Sequence, residues 1–155
     1  KAREHLSSMV TQMHPRGHIS EHFVMNRGRL AWPVNGTVSG NFGRQSERIY
    51  GTVTLHSGLD IRAAQGSSVQ AIAPGKVVYA DWLKGYGQIV IVDHGEQYHS
   101  LMAHLSAISV DVGQSVQVGG IVGKVGDTGS LRGTLLYFEI REKGQSVDPR
   151  LWLRK

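Results

Sequence analysis

Cysteine is absent from all 155 residues. That excludes disulfides, thiolate metal sites and a cysteine nucleophile, and it is compatible with an oxidising compartment without requiring one. No run of about 18 apolar residues occurs, so the sequence contains no helical membrane span. No signal peptide is recognisable. The first residues have the character of a helix already under way, so a targeting segment is expected upstream. Aromatic residues make up only 7% of the chain, and lysine and arginine are scattered singly despite a formal net charge of +5. Without a basic run or an interleaved aromatic platform, nucleic acid is not the expected partner. The charge fits a cell-wall polymer or an acidic protein surface, but composition alone favours a plain soluble basic domain.

Glycine is plentiful. Twenty glycines among many short apolar runs point to a turn-rich, mainly β protein, and the length suits one domain plus an extension. Residues 1–28 read as a helical lead-in and 29–155 as the β domain. In the lead-in, Leu6, Met9, Val10 and Met13 follow helical spacing. Pro15 and Gly17 break it, and a short helical piece is expected near Glu21 to Met25. The whole reads as the end of a longer helix or coiled coil. His14, His18 and His22 are four apart, but the Pro15 and Gly17 break favours exposed histidines over a metal face.

Beyond Trp32-Pro33-Val34, residues 36–43 read as a polar loop. Strands are expected over 69–72, 76–81, 88–92, 99–104 and 135–141, with turns at 85–87, 93–96 and 142–145 joining them as hairpins. Gln88-Ile89-Val90-Ile91-Val92 is apolar on both faces and reads as a central buried strand. Gly66-Ser67-Ser68-Val69-Gln70 is echoed by Gly113-Gln114-Ser115-Val116-Gln117, and each is followed by a glycine and a Lys-Val pair. The echo suggests two related β-turn-β units rather than a solenoid, which needs three or more repeats.

The chemistry concentrates in His56-Ser57-Gly58-Leu59-Asp60 and in His104. A catalytic zinc needs about three protein ligands, an open position and a group to move protons. Four residues apart on a straight strand, His56 and Asp60 would sit about 13 Å from each other, so they can share an ion only if Gly58 bends the backbone. A hydrogen-bonded histidine and carboxylate beside a turn would have the same pattern.

Context adds to this. The segments Leu55–Ile61, Ala71–Val77, Gly85–Gly95, Ala103–Ser106, Gly126-Asp127-Thr128-Gly129 and Phe138-Glu139-Ile140-Arg141 closely resemble the LytM (lysostaphin-type) zinc endopeptidase family. The resemblance runs in order from about Leu30 to Leu153. It implies a compact antiparallel LytM/lysostaphin-type β fold with a groove. It also implies that His56 and Asp60 correspond to zinc ligands and His104 to a catalytic histidine. Active members carry a His-x-His pair on the late strand, where this chain has Leu135 and Tyr137. Leucine neither binds zinc nor moves a proton, and tyrosine ligates well only after losing a proton with a pKa near 10. Structural zinc sites bind with roughly 10–16 kcal/mol over four ligands, so one lost ligand costs on the order of 3 kcal/mol, about a hundredfold in affinity. A lost acid–base group costs a further 10²–10⁴-fold in rate, roughly.

Inactive LytM domains are best represented by murein hydrolase activators of the EnvC and NlpD type. Val78–Gly87, Leu136–Arg141 and Val147–Leu153 resemble the EnvC type in particular. The implied function is a catalytically inactive domain that switches on a periplasmic N-acetylmuramoyl-L-alanine amidase during cell division. The implied location is the periplasm or cell envelope of a Gram-negative bacterium. The resemblance leaves peptidoglycan open as a further partner, and the division machinery would be reached through the upstream coiled coil. Tyr86, Tyr137, Arg141, Glu139 and Ser57 are the expected partner-binding residues of the former groove, with Leu135, Tyr137, Glu139 and Arg141 on its floor and Leu136, Phe138 and Ile140 toward the core. No cofactor is expected, though His56 and Asp60 leave weak residual zinc binding open. The alternative is a zinc-dependent peptidoglycan endopeptidase with an atypical third ligand at Tyr137. A structural peptidoglycan-binding module is harder to separate from an activator. A biotinyl- or lipoyl-type carrier is disfavoured because Lys76 and Lys124 sit within apolar runs.

Overall fold

Apolar runs along the long strands, whose side chains point alternately to two buried faces, determine the architecture. The computed structural model describes residues 22–46 and 53–155. A short helix, α1 (His22–Met25), precedes β1 (Thr37–Gly40), β2 (Gly43–Ser46), β3 (Val53–His56), β4 (Leu59–Arg62), β5 (Ser68–Gln70) and β6 (Gly75–Leu83). Then follow β7 (Gly87–Gly95), β8 (Tyr98–Ile108), β9 (Ser115–Val116), β10 (Ile121–Val125), β11 (Leu136–Glu142), β12 (Gln145–Val147) and a 3₁₀ turn (Pro149–Leu151). The main sheet is antiparallel and runs β1-β4-β11-β8-β7-β6-β9. Strand β10 pairs with both β5 and β8, β12 pairs with β11, and β2 and β3 form a separate two-stranded sheet. The expected antiparallel β fold with a short N-terminal helical piece is what forms. His14, His18 and most of the lead-in lie outside the described residues.

Both faces of the sheet are apolar. Val90 and Val92 of β7, with Leu136, Phe138 and Ile140 of β11, join the larger core. Ile89 and Ile91, with Leu135 and Tyr137, join a smaller cluster completed by Leu83, Tyr86, Leu101 and Ala103. The central buried strand expected at 88–92 is therefore present. The expected open floor beneath Leu135 and Tyr137 is not: their face is packed with apolar side chains. Each such burial stabilises the fold by about 1.5–3 kcal/mol, which holds β11 tightly between β4 and β8.

The two sequence echoes fold as partners. β5 pairs with β10 and β9 pairs with β6, so each unit's first strand is bound to the other's second. Val69 and Val116, equivalent in the echo, both enter the larger core. Residues 36–43, expected as loop, contain β1 and the start of β2. The β7–β8 turn lies at Glu96 and Gln97, both at positive φ, the backbone of a tight type I′ hairpin.

Among the described residues, Phe23 packs the lead-in helix against the β domain. Phe23 is fully buried, with ring centroids 4.8 Å from His94, 4.9 Å from Tyr98 and 5.0 Å from Trp152. Just beyond it, Leu30 bridges to Leu153, and the Trp32 indole N–H donates to the Arg154 carbonyl at 2.7 Å. The start of the β domain is thus bound to its end.

Candidate functional site

Three neighbouring strands assemble the site. Tyr137 on β11 lies directly opposite Asp60 on β4 and Ala103 on β8, and residues opposed in this way have Cβ atoms about 4.5–5.5 Å apart. His104 follows Ala103, with its ring centroid 6.2 Å from that of Tyr137. His56 ends β3, in the small sheet, and Asp60 lies in the main sheet. The chain therefore does bend at Ser57-Gly58, as a shared site required. Only glycine fits there: a Cβ at Gly58 would lie 2.3 Å from the Phe138 carbonyl oxygen and 2.8 Å from Cγ of Glu139.

His104 is held in an unusual way. Its φ of 64° lies in the left-handed region although it is not glycine and sits within a strand, a conformation costing on the order of 1–3 kcal/mol. The β8–β10 and β7–β8 registers shift beside it, the mark of a bulge that re-aims a side chain. Its backbone N–H donates to Tyr86 O at 2.8 Å, and Nδ1 lies 2.8 Å from Thr128 O. A carbonyl only accepts, so Nδ1 carries the proton and Nε2 is left as the acceptor. Burial lowers the His104 pKa below its usual 6.5, outweighing the Thr128 hydrogen bond and the Asp60 charge that raise it. Burial therefore favours the neutral ring.

Thr128 organises this corner. Its hydroxyl donates to Leu105 O at 2.6 Å and accepts from the Gln88 N–H at 3.1 Å, while its carbonyl holds His104. Gly87, at φ 68°, allows the approach, because a Cβ there would sit 2.0 Å from Thr128 O.

Asp60 is buried, and both its oxygens are engaged. The Arg132 guanidinium contacts Oδ2 through Nε at 2.9 Å and Oδ1 through an Nη at 3.1 Å. Gly40 gives the carboxylate room, since a Cβ there would be 2.8 Å from Oδ2. Nothing in the spacing of the sequence marked Arg132, a lone basic residue in a loop. Its role appears only when the loop is folded across β4.

Tyr137 is committed as well. Its hydroxyl donates to Oε2 of the fully buried Glu139, whose Oε1 accepts from Arg141 Nε at 2.6 Å. Arg141 also donates to Gly144 O at 2.9 Å. Burial, then the Glu139 charge and hydrogen bond, push the Tyr137 pKa well above its usual 10. The expectation that Glu139 and Arg141 present a surface to a partner is corrected here. Both are interior, because β11 is covered on both faces and their charges pair with each other. Ser57, Tyr86 and Tyr137 are buried too, each with under a tenth of its surface exposed. The Tyr86 and Tyr137 rings lie 6.1 Å apart.

This donor set does not fit a catalytic zinc. Asp60 is taken by a guanidinium, Tyr137 is a buried hydrogen-bond donor far from ionisation, and Leu135 has no donor atom. Among the described residues no three histidine, aspartate or glutamate side chains converge on one point. What the geometry does hold is the bend at Gly58, the strained His104 and its Thr128 support.

Comparison with known proteins fits this geometry. Residues 54–149 match the profile of the family described as Peptidase family M23. The chain is 41% identical over 127 residues to Murein hydrolase activator EnvC of Escherichia coli, covering 82% of this chain and 29% of that protein. It is 38% identical over 123 residues to Murein hydrolase activator NlpD of Salmonella typhimurium, covering 79% of this chain and 30% of the relative. The chain thus spans less than a third of either relative. Among solved structures, a zinc-containing peptidase from Vibrio cholerae superposes with a TM-score of 0.74 at 25% identity, over 83% of this chain and 41% of that one. The catalytic domain of lysostaphin from Staphylococcus simulans gives 0.65 at 29% identity, over 74% of this chain and 90% of that one.

Proposed function

The chain belongs to peptidase family M23, and on that premise we propose that it is a catalytically inactive member that activates a murein hydrolase. The proposed target is a periplasmic cell-wall amidase of the N-acetylmuramoyl-L-alanine class, in the envelope of a Gram-negative bacterium. The observation that carries this reading is the state of the third-ligand position. Tyr137 is buried, donates to Glu139 and packs beside Leu135 where an active site needs nitrogen donors. The resemblance to proteins named as murein hydrolase activators supports the same reading.

Binding would act by preferring the open state of an autoinhibited amidase, and it can shift that equilibrium only by its difference in affinity for the two states. The interior position of Glu139 and Arg141 moves the contact surface to the rim of the former site. There Leu131 is fully exposed and the Arg132 side chain is half exposed. An apolar residue beside a guanidinium suits a partner segment with an apolar anchor and an adjacent carboxylate.

Release of soluble fragments from labelled peptidoglycan sacculi tests the proposal. The domain alone with zinc, a periplasmic amidase alone, and the two together are compared. Stimulation above the amidase baseline, with no release by the domain alone, is the expected result. Release by the domain alone that is abolished by His56→Ala would replace this reading with the endopeptidase alternative.

A further inference from the structure

The loop between β10 and β11 is closed at its base, where Leu135 N–H donates to Gly126 O at 3.2 Å, and is fixed at two further points. Thr128 holds it to β7 and β8, and Arg62 Nη1 of β4 donates to Thr134 O at 3.0 Å. From this fixed loop Arg132 reaches across to Asp60 and meets both carboxylate oxygens. The carboxylate it meets is almost fully buried, while the guanidinium keeps one side in solvent.

We propose that Arg132 is this domain's built-in replacement for the metal, a fixed organic cation that neutralises Asp60 and fastens the 126–134 loop to β4. A buried carboxylate needs a compensating charge, since an isolated one is strongly disfavoured in a poorly solvated position. A metal would supply that charge and connect elements distant in sequence. Here the bidentate pair does both, and arginine suits the role because its fork matches a carboxylate and it never deprotonates in a protein. The fold then keeps a former ligand without needing an ion. The cation that stabilises it is also the obstacle to regaining one. The proposal takes Asp60 as a former ligand position from membership of the M23 family and stands whether or not an amidase is the partner.

Two measurements test it. The first is a thermal double-mutant cycle. Arg132→Ala is expected to lower Tm by several degrees, a shift that EDTA does not change. In an Asp60→Asn background, where no charge needs neutralising, the same substitution should shift Tm by less than half as much. Equal shifts in both backgrounds would show that Arg132 packs the loop without compensating Asp60, and would overturn the proposal. The second is zinc affinity, measured by competition with a chromophoric chelator, in a chain carrying Leu135→His and Tyr137→His. Adding Arg132→Thr should tighten zinc at least tenfold, roughly 1.4 kcal/mol. Unchanged affinity would also overturn it. Should the histidine graft not fold, the cycle decides alone.

Discussion

Replacing Tyr137 by phenylalanine removes one oxygen and preserves the ring. The hydroxyl is donated to Oε2 of Glu139, which is fully buried and whose other oxygen is held by Arg141. Without it, a buried carboxylate oxygen loses its donor. Leaving such an acceptor unsatisfied costs about 1–3 kcal/mol, with charged groups toward the upper end. The aromatic contacts with Tyr86 and His104 survive, so no cavity term adds to this. For a domain of this size, with a urea m-value of roughly 2 kcal/mol/M, a loss of about 2 kcal/mol lowers the midpoint by about 1 M at unchanged m. Urea unfolding followed by tryptophan fluorescence, once with EDTA and once with excess zinc, provides the assay. The same drop is expected in both, because the hydroxyl serves Glu139 and not an ion. A variant as stable as the parent in EDTA, but weaker only when zinc is present, would refute the reasoning and make Tyr137 a ligand.

Phe23→Ala removes the ring stacked among His94, Tyr98 and Trp152, and should cost about 3–5 kcal/mol in the same unfolding assay, with Trp152 fluorescence reporting the loss. Leu131→Glu should leave stability within about 0.5 kcal/mol, since the residue is fully exposed. It should nevertheless reduce amidase stimulation severalfold in the sacculi assay. The lowered pKa of His104 fixes a sign: between its folded value and the unfolded value of about 6.5 the unfolded chain binds more protons, so stability rises with pH across that window. A titration of unfolding free energy from pH 5 to 7.5 should show this slope reduced in His104→Gln.

The long strands were legible because continuous apolar runs such as Ile89–Val92 and Leu135–Phe138 suit a strand buried on both faces, as the sheet provides. A bend at Gly58 was required only if His56 and Asp60 were to share an ion; the chain does pass from the small sheet to the main sheet there, at a position where only glycine fits. The crosswise pairing of the two echoed units was half visible, since similarity reveals the units but not that they exchange strands. Three features escaped. Arg132 carries no periodic or spacing signal, because its role depends on a loop folding over β4. The Thr128 support depends on a hydroxyl and a carbonyl pointing opposite ways from one residue, which no pattern records. Glu139 and Arg141 alternate with core residues just as a solvent-facing row would, and only the apolar cover over that face shows that they are paired inside.

The most direct test of the central claim, that the zinc site has been dismantled around a retained scaffold, is metal content by mass spectrometry. The purified domain would be incubated with equimolar zinc and dialysed at neutral pH. Well below a tenth of an equivalent retained, unchanged by His56→Ala or Asp60→Ala, is the predicted result. One equivalent retained, and lost on either substitution, would contradict it and return the domain to the metallopeptidases.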